Sequence, residues 1–139
     1  MNRIRRIAQS VTGQALVEFA LVAPLLLMLV IGVFEFGRAW NVYQVITEAA
    51  RAGARAAVVA DASVTQDSVV ATIQHALGRA GLNPSRANIS LTGWRAGTGT
   101  PASVTIQFAY DFVFLRPFMG WTSDGAAITL RTAFTMRNE

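Results

Sequence analysis

The stretch Phe19-Ala-Leu-Val-Ala-Pro24-Leu-Leu-Leu-Met-Leu-Val-Ile-Gly-Val-Phe34 contains sixteen residues and not one charge. Extended back to Ala15, the run is twenty residues long with a single carboxylate, Glu18. At about 1.5 Å per helical residue it spans the roughly 30 Å hydrocarbon core of a bilayer. The 139 residues leave room for one further domain, and two independent cores would be too many. The apolar content of 53% and the mean hydropathy of +0.39 exceed the soluble norm because of this run. A freely soluble enzyme is therefore the wrong default.

Charge divides the chain at the same place. There are twelve arginines, no lysine and eight acidic residues. Arg3, Arg5 and Arg6 precede the run, which leaves nine arginines against eight acids beyond residue 13. The body is near neutral, so a pI near 11 does not argue for a nucleic-acid surface. After the run come Arg38 and Arg51, offset by Glu35 and Glu48. The positive-inside rule keeps the N-terminus cytoplasmic and sends the remainder across the membrane. With no cysteine, disulfides, thiolate chemistry and Cys-based metal sites are excluded.

Three readings of the N-terminus compete: a secretory signal, a plain anchor, or something more specific. The first small-x-small site after the run is Gly37-Arg38-Ala39, and the run is too long for a signal and interrupted by Glu18 and Pro24. A plain anchor leaves Glu18 unexplained. An acid at the centre of a membrane helix costs about 2.5–3.5 kcal/mol, less near the interface, and usually has a partner or a function. Glu18 at headgroup depth, marking the helix start, is the bland alternative. Pro24 removes a helical hydrogen bond, so a kink or local melting over residues 21–24 is expected, although membrane helices tolerate proline.

Beyond the run, Phe36, Trp40, Tyr43, Ile46, Ala50, Gly53 and Ala57 recur at helical spacing. This stripe is expected to lie on the protein's own sheet; a coiled-coil seam is the other reading, and Trp40 and Tyr43 also suit a membrane interface. The helix is expected to run to about residue 60. A second helix is expected over about 64–80, with Ser63 and Gln66 at capping-box spacing and Val64, Val69, Val70, Ile73 and Leu77 apolar. Gly81 and Asn83-Pro84 end it.

From Ile89 the period changes to two. Strands are expected over about 88–95, 102–114 and 126–137. Val104, Ile106, Phe108, Tyr110, Phe112 and Phe114 share one face of the middle strand; Ile128, Leu130, Phe134 and Met136 share one face of the last. One buried and one wet face imply an antiparallel sheet covered by a helix. Residues 115–125, with Pro117, Phe118, Met119 and Trp121, are either tucked under the sheet or a contact surface. The fold class is α+β: a long N-terminal transmembrane and amphipathic helix, a short helix and about three antiparallel strands. The part after residue 35 is expected to fold without the anchor, from about Gly37.

Gly13-Gln14-Ala15-Leu16-Val17-Glu18-Phe19 places a glycine five residues before the acid, with an aromatic directly after it. This resembles the prepilin-peptidase site of type IV pilin-like proteins, in the Glu-aromatic form of Flp/Tad pilus subunits. The longer stretch from Gly13 to Leu27 resembles the opening of TadE-like pseudopilins. So do Glu35-Phe36-Gly37-Arg38-Ala39 and Ala49-Ala50-Arg51-Ala52-Gly53-Ala54-Arg55, and more weakly Thr135-Met136-Arg137-Asn138-Glu139. The resemblance implies a basic leader over 1–13, a transmembrane half over 14–35 and a periplasmic or extracellular pilin-like domain over 36–139. It implies cleavage between Gly13 and Gln14, with Glu18, Phe19 and Pro24 serving assembly. Cleavage would give Gln14 a charged amine one helical turn from Glu18, able to pair with it or across subunits.

The implied protein is a structural minor pilin or pseudopilin of a Tad/Flp-type pilus. Its expected partners are other pilin subunits, a prepilin peptidase, the inner-membrane assembly platform and the lipid bilayer, with no nucleic acid and no small-molecule substrate. The alternative is an uncleaved single-pass membrane protein whose periplasmic domain binds another protein. No catalytic residue, cofactor or metal is expected. Asp61, Asp67, Asp111 and Asp124 are scattered, and His75 is the one histidine.

Overall fold

The computed structural model describes residues 2–59, 63–116 and 127–138, with side chains from residue 13 onward. Helix α1 runs Asn2–Val58 and helix α2 runs Gln66–Arg79. A 3-10 turn, Pro84–Arg86, leads into strands β1 (Ala87–Thr92), β2 (Pro101–Asp111) and β3 (Ala127–Arg137). The sheet is antiparallel in the order β1-β2-β3. At about 1.5 Å per residue, the 57 residues of α1 extend roughly 85 Å, far beyond the small domain they carry. The expected α+β class, with a long apolar N-terminal helix, a short helix and three strands, is what the chain forms.

The C-terminal part of α1 packs between α2 and the sheet. Ile46, Ala49, Ala50, Ala54 and Ala57 meet Val69, Ile73 and Leu77 of α2 and Val104, Ile106, Phe108 and Tyr110 of β2 in one cluster. Alanine and glycine serve two purposes here: they favour or permit the helix, and their size lets other elements approach the α1 backbone. Gly53 shows how close. A Cβ added there would stand 2.5 Å from both Cγ1 and Cδ1 of Ile73, which is fully buried. Gly53→Leu is expected to cost about 1–3 kcal/mol in urea unfolding, the range for overpacking a filled core. Adding Ile73→Ala to that variant should recover part of the loss. A Gly53→Leu protein as stable as the parent would show that the α1–α2 contact is loose.

The buried stripe of α1 differs from the expected one in its N-terminal half. Ile46, Ala50, Gly53 and Ala57 are buried as expected, but Phe36 and Trp40 are largely exposed and Tyr43 is at the exposed margin. The sheet-facing positions are instead Glu35, Ala39 and Val42, one residue earlier at each step. Both series meet Ile46 at helical spacing, and the larger aromatic residues made the wrong one look apolar. The aromatics stack along α1 instead, with ring centroids 6.4 Å apart for Phe36–Trp40 and 6.0 Å for Trp40–Tyr43.

Three local expectations also change. The helix continues through Pro24 without a break, so the backbone does not melt over residues 21–24. The capping box of α2 is Thr65 with Ser68, not Ser63 with Gln66: each side chain accepts the other's backbone N–H, at 3.1 and 3.0 Å. Strand β1 ends at Thr92 because Gly93 turns at φ +70°, where an added Cβ would stand 2.1 Å from the Pro101 carbonyl oxygen. That turn is tied to the C-terminus. The Asn138 side-chain amide donates to the Gly93 carbonyl and to Thr100 Oγ1, both at 2.9 Å, and its backbone exchanges two further bonds with Gly99 and Thr100.

Alternation in β2 is as expected up to Tyr110, and the aromatic row is core rather than the wall of a pocket. The strand stops at Asp111 instead of reaching Phe114. In β3, Leu130, Phe134 and Met136 are partly buried, whereas Ile128 is exposed. Thr132, unassigned by the alternation, is buried with its Oγ1 3.3 Å from Thr47 Oγ1. Of residues 115–125, those from 117 onward lie outside the described residues.

Candidate functional site

Residues 13–30 of α1 are exposed, apart from a half-buried Ala23, and contribute nothing to the buried core. The most apolar window of the helix has 0% of its residues buried, and the helix is long and apolar enough to cross a membrane. Gly13, Gln14, Glu18, Phe19 and Pro24 are all exposed. The structure brings two of them together: Gln14 Nε2 donates to Glu18 Oε1 at 3.0 Å, across one helical turn. At Gly13 an added Cβ would meet nothing within 4 Å, so packing does not require glycine there. Every feature of this stretch faces outward, toward whatever lies beside the helix.

A second site lies where the apolar run ends. Glu35 is fully buried, and its carboxylate collects donors from the far end of β2. The Tyr110 hydroxyl donates to Oε1 at 2.6 Å. The backbone N–H groups of Val113 and Phe114 donate to Oε2 at 3.2 and 2.8 Å. Arg38, one turn along α1, adds an ion pair at 3.4 Å. Its guanidinium also lies 5.9 Å from the Tyr110 ring centroid and 5.7 Å from that of Phe114. A carboxylate taken out of water is tolerated only when its lone pairs are filled this way. Here the same bonds end β2, because the amides of residues 113 and 114 turn to Glu35 instead of continuing the ladder.

Burial, and then the Glu35 carboxylate, push the Tyr110 hydroxyl up to about 12. The phenol therefore stays protonated, and a donor, at neutral pH. The clasp fixes the globular domain to the residue that directly follows the apolar run.

Two hollows flank the clasp. An apolar cleft of about 420 Å³ lies among Phe36, Trp40, Tyr43, Leu115, Ile128 and Leu130. A more polar one of about 400 Å³ is bordered by Arg38, Arg86, Arg116 and Asp111, with Arg86 and Asp111 paired at 2.7 Å. His75 is exposed on α2.

Sequence reasoning singled out Glu18 and gave Glu35 no role of its own, counting it as an offset to Arg38 and as part of a block that resembles the family. Two signals pointed to it. It is the first charge after sixteen uncharged residues, and it stands seven and eleven residues before Val42 and Ile46, on their face of the helix. Its partner Tyr110 was the one member of the aromatic row on β2 with a polar tip.

Fold and sites together define a small α+β domain carried on one long helix that is fit to cross a membrane. Residues 13–55 match the family model described as TadE-like protein, so over this stretch the chain is similar to TadE-like proteins. The match begins on Gly13, takes in Glu18 and Glu35, and ends at Arg55, before α2 and the sheet. No curated protein and no solved structure matches the chain.

Proposed function

We propose that the chain is a structural minor pilin or pseudopilin of a Tad/Flp-type pilus. It enters the inner membrane with its N-terminus cytoplasmic, is cut after Gly13 by a prepilin peptidase, and then takes part in pilus assembly or initiation. The observation that carries this reading is the TadE-like match, which opens on the glycine of the expected processing site. The exposed, unpartnered apolar helix supports it, since such a surface suits lipid first and other helices afterwards. The role needs no catalytic group: the chain supplies surfaces to pilin neighbours, to the assembly platform and to the bilayer.

The second reading, an uncleaved single-pass protein with a protein-binding periplasmic domain, is favoured by one observation. The helix runs unbroken through residues 13 and 14 to Asn2, and a peptidase requires an unwound bond. Glycine at the scissile position lowers the cost of unwinding, by about 1 kcal/mol relative to alanine.

Mass spectrometry of the protein from membranes separates the two. The mature chain is expected to lack residues 1–13, and Gly13→Leu is expected to leave a full-length, membrane-held precursor. A mature mass that retains residues 1–13 in the parent would overturn the cleavage claim and leave the second reading.

A further inference from the structure

The clasp also fixes the depth of residues 113–116. Glu35 directly follows Phe34, the last residue of the apolar run, so in a membrane-crossing helix it lies at the edge of the hydrocarbon. The backbone nitrogens of Val113 and Phe114 are 3.2 and 2.8 Å from its carboxylate. These residues are thereby held at the level where the helix leaves the lipid. Their side chains are not folded inward: each is 51% exposed, although both are large and apolar. Two arginines border them. Arg38 lies on α1 between the Tyr110 and Phe114 rings, and Arg116 has no carboxylate partner among the described residues. The nearby acid, Asp111, is already paired with Arg86. Exposed apolar side chains beside arginines, at the exit of a spanning helix, match the layered chemistry of a bilayer surface, with acyl carbons below and phosphates above.

We propose that residues 113–116 form a second membrane contact. Val113 and Phe114 enter the interfacial layer beside the anchor, while Arg38 and Arg116 lie against lipid phosphates. The domain then rests on the membrane at two places, the helix and this turn, and its tilt is fixed before any partner arrives. Anionic lipid strengthens the contact, because its negative surface attracts the arginines.

This inference rests on the reading of α1 as a membrane anchor, and the test separates the two. The chain has no cysteine, so single cysteines at Val113, Phe114, Leu25 and His75 of the full-length protein each give one spin-label site. The labelled proteins are placed in vesicles of equal parts phosphatidylcholine and phosphatidylglycerol. Collision with oxygen, which concentrates in lipid, is compared with collision with a water-soluble nickel chelate. The label at residue 25 should be lipid-protected and that at residue 75 fully aqueous. Labels at 113 and 114 should lie between them, with nickel accessibility at least threefold below that at residue 75. Arg116→Gln should raise nickel accessibility at residue 113 in these vesicles and leave it unchanged in pure phosphatidylcholine.

Labels at 113 and 114 as aqueous as residue 75, with residue 25 lipid-protected, would overturn the second contact and keep the anchor. An aqueous residue 25 would overturn the anchor reading and the inference with it. Protection of 113 and 114 from both probes, with spin–spin broadening between copies, would identify a protein interface and overturn the lipid contact. No effect of Arg116→Gln would overturn the role given to the phosphates. Two label positions guard against local damage, and the bonds to Glu35 come from backbone amides that a cysteine retains.

Discussion

Glu35→Ala is expected to destabilise the domain by about 3 kcal/mol, measured by urea unfolding of the detergent-solubilised chain. The loss comes from donors rather than from apolar contact. Without the carboxylate, the Tyr110 hydroxyl is left in a buried site, and the amides of Val113 and Phe114 lose their acceptor. A buried polar group without a partner costs about 1–3 kcal/mol, while the two amides recover part of their loss by turning to water. Tyr110→Phe removes one donor and keeps the ring, so it should cost only about 1–1.5 kcal/mol. In the double variant the two costs should fall short of additivity by about 1 kcal/mol, since the shared bond is lost once. The Phe114 amide should also exchange with solvent faster in Glu35→Ala. A loss below about 0.5 kcal/mol, the range of an ordinary surface change, would mean that the clasp adds nothing to stability.

The same bonds bear on where the domain begins. A chain shortened to start at Gly37 keeps the core around Ile46 and Ile106 but lacks Glu35. It should fold with mixed helix and strand, and be less stable, by about the Glu35→Ala loss, than one starting at Gly32. Equal unfolding midpoints for the two chains would place the whole domain beyond residue 36.

What was legible in the sequence followed period and burial. The sixteen uncharged residues, the Ala and Gly steps after Ala49 and the alternation from Val104 to Tyr110 each carry a repeating signal, and each formed the expected element. What was not legible depended on single long-range bonds. Nothing local in Val113 or Phe114 says that their amides turn to a carboxylate 78 and 79 residues earlier, so the strand was expected to run through them. Large exposed aromatics at 36, 40 and 43 drew the helical stripe away from positions 35, 39 and 42, because hydrophobicity outweighed a buried acid. The capping box moved for a smaller reason: Thr65 and Ser68 satisfy each other, a pairing that the Glu/Gln rule at the third position does not anticipate. At the N-terminus, the one-turn relation of residues 14 and 18 was legible because it depends on helix geometry alone.

That relation carries the last expected result. Glu18→Gln should leave membrane insertion intact, since removing a charge makes partition into the bilayer easier. The cleavage proposed after Gly13 should largely persist, because the proposed scissile bond and the basic residues before it are untouched. Contact along the helix should persist as well: Gln14 Nε2 now donates to Glu18 Oε1 at 3.0 Å, and a glutamine at 18 offers a carbonyl oxygen in the same place. The substitution therefore removes charge while keeping size, register and a local hydrogen bond. What it would abolish is the proposed pairing with a new positive amine on Gln14, in the same chain or a neighbouring one. In a low-dielectric setting that pairing offsets much of the roughly 2.5–3.5 kcal/mol cost of a membrane carboxylate. Losing even about half of it corresponds to roughly tenfold in association. Cross-linking to the proposed pilin neighbours should accordingly fall about tenfold or more, with fewer pili, while the mature mass and membrane fraction stay those of the parent. Normal cross-links and normal piliation in Glu18→Gln would reduce Glu18 to a marker of the helix start at headgroup depth. Failure of cleavage instead would move its role from assembly to recognition by the peptidase.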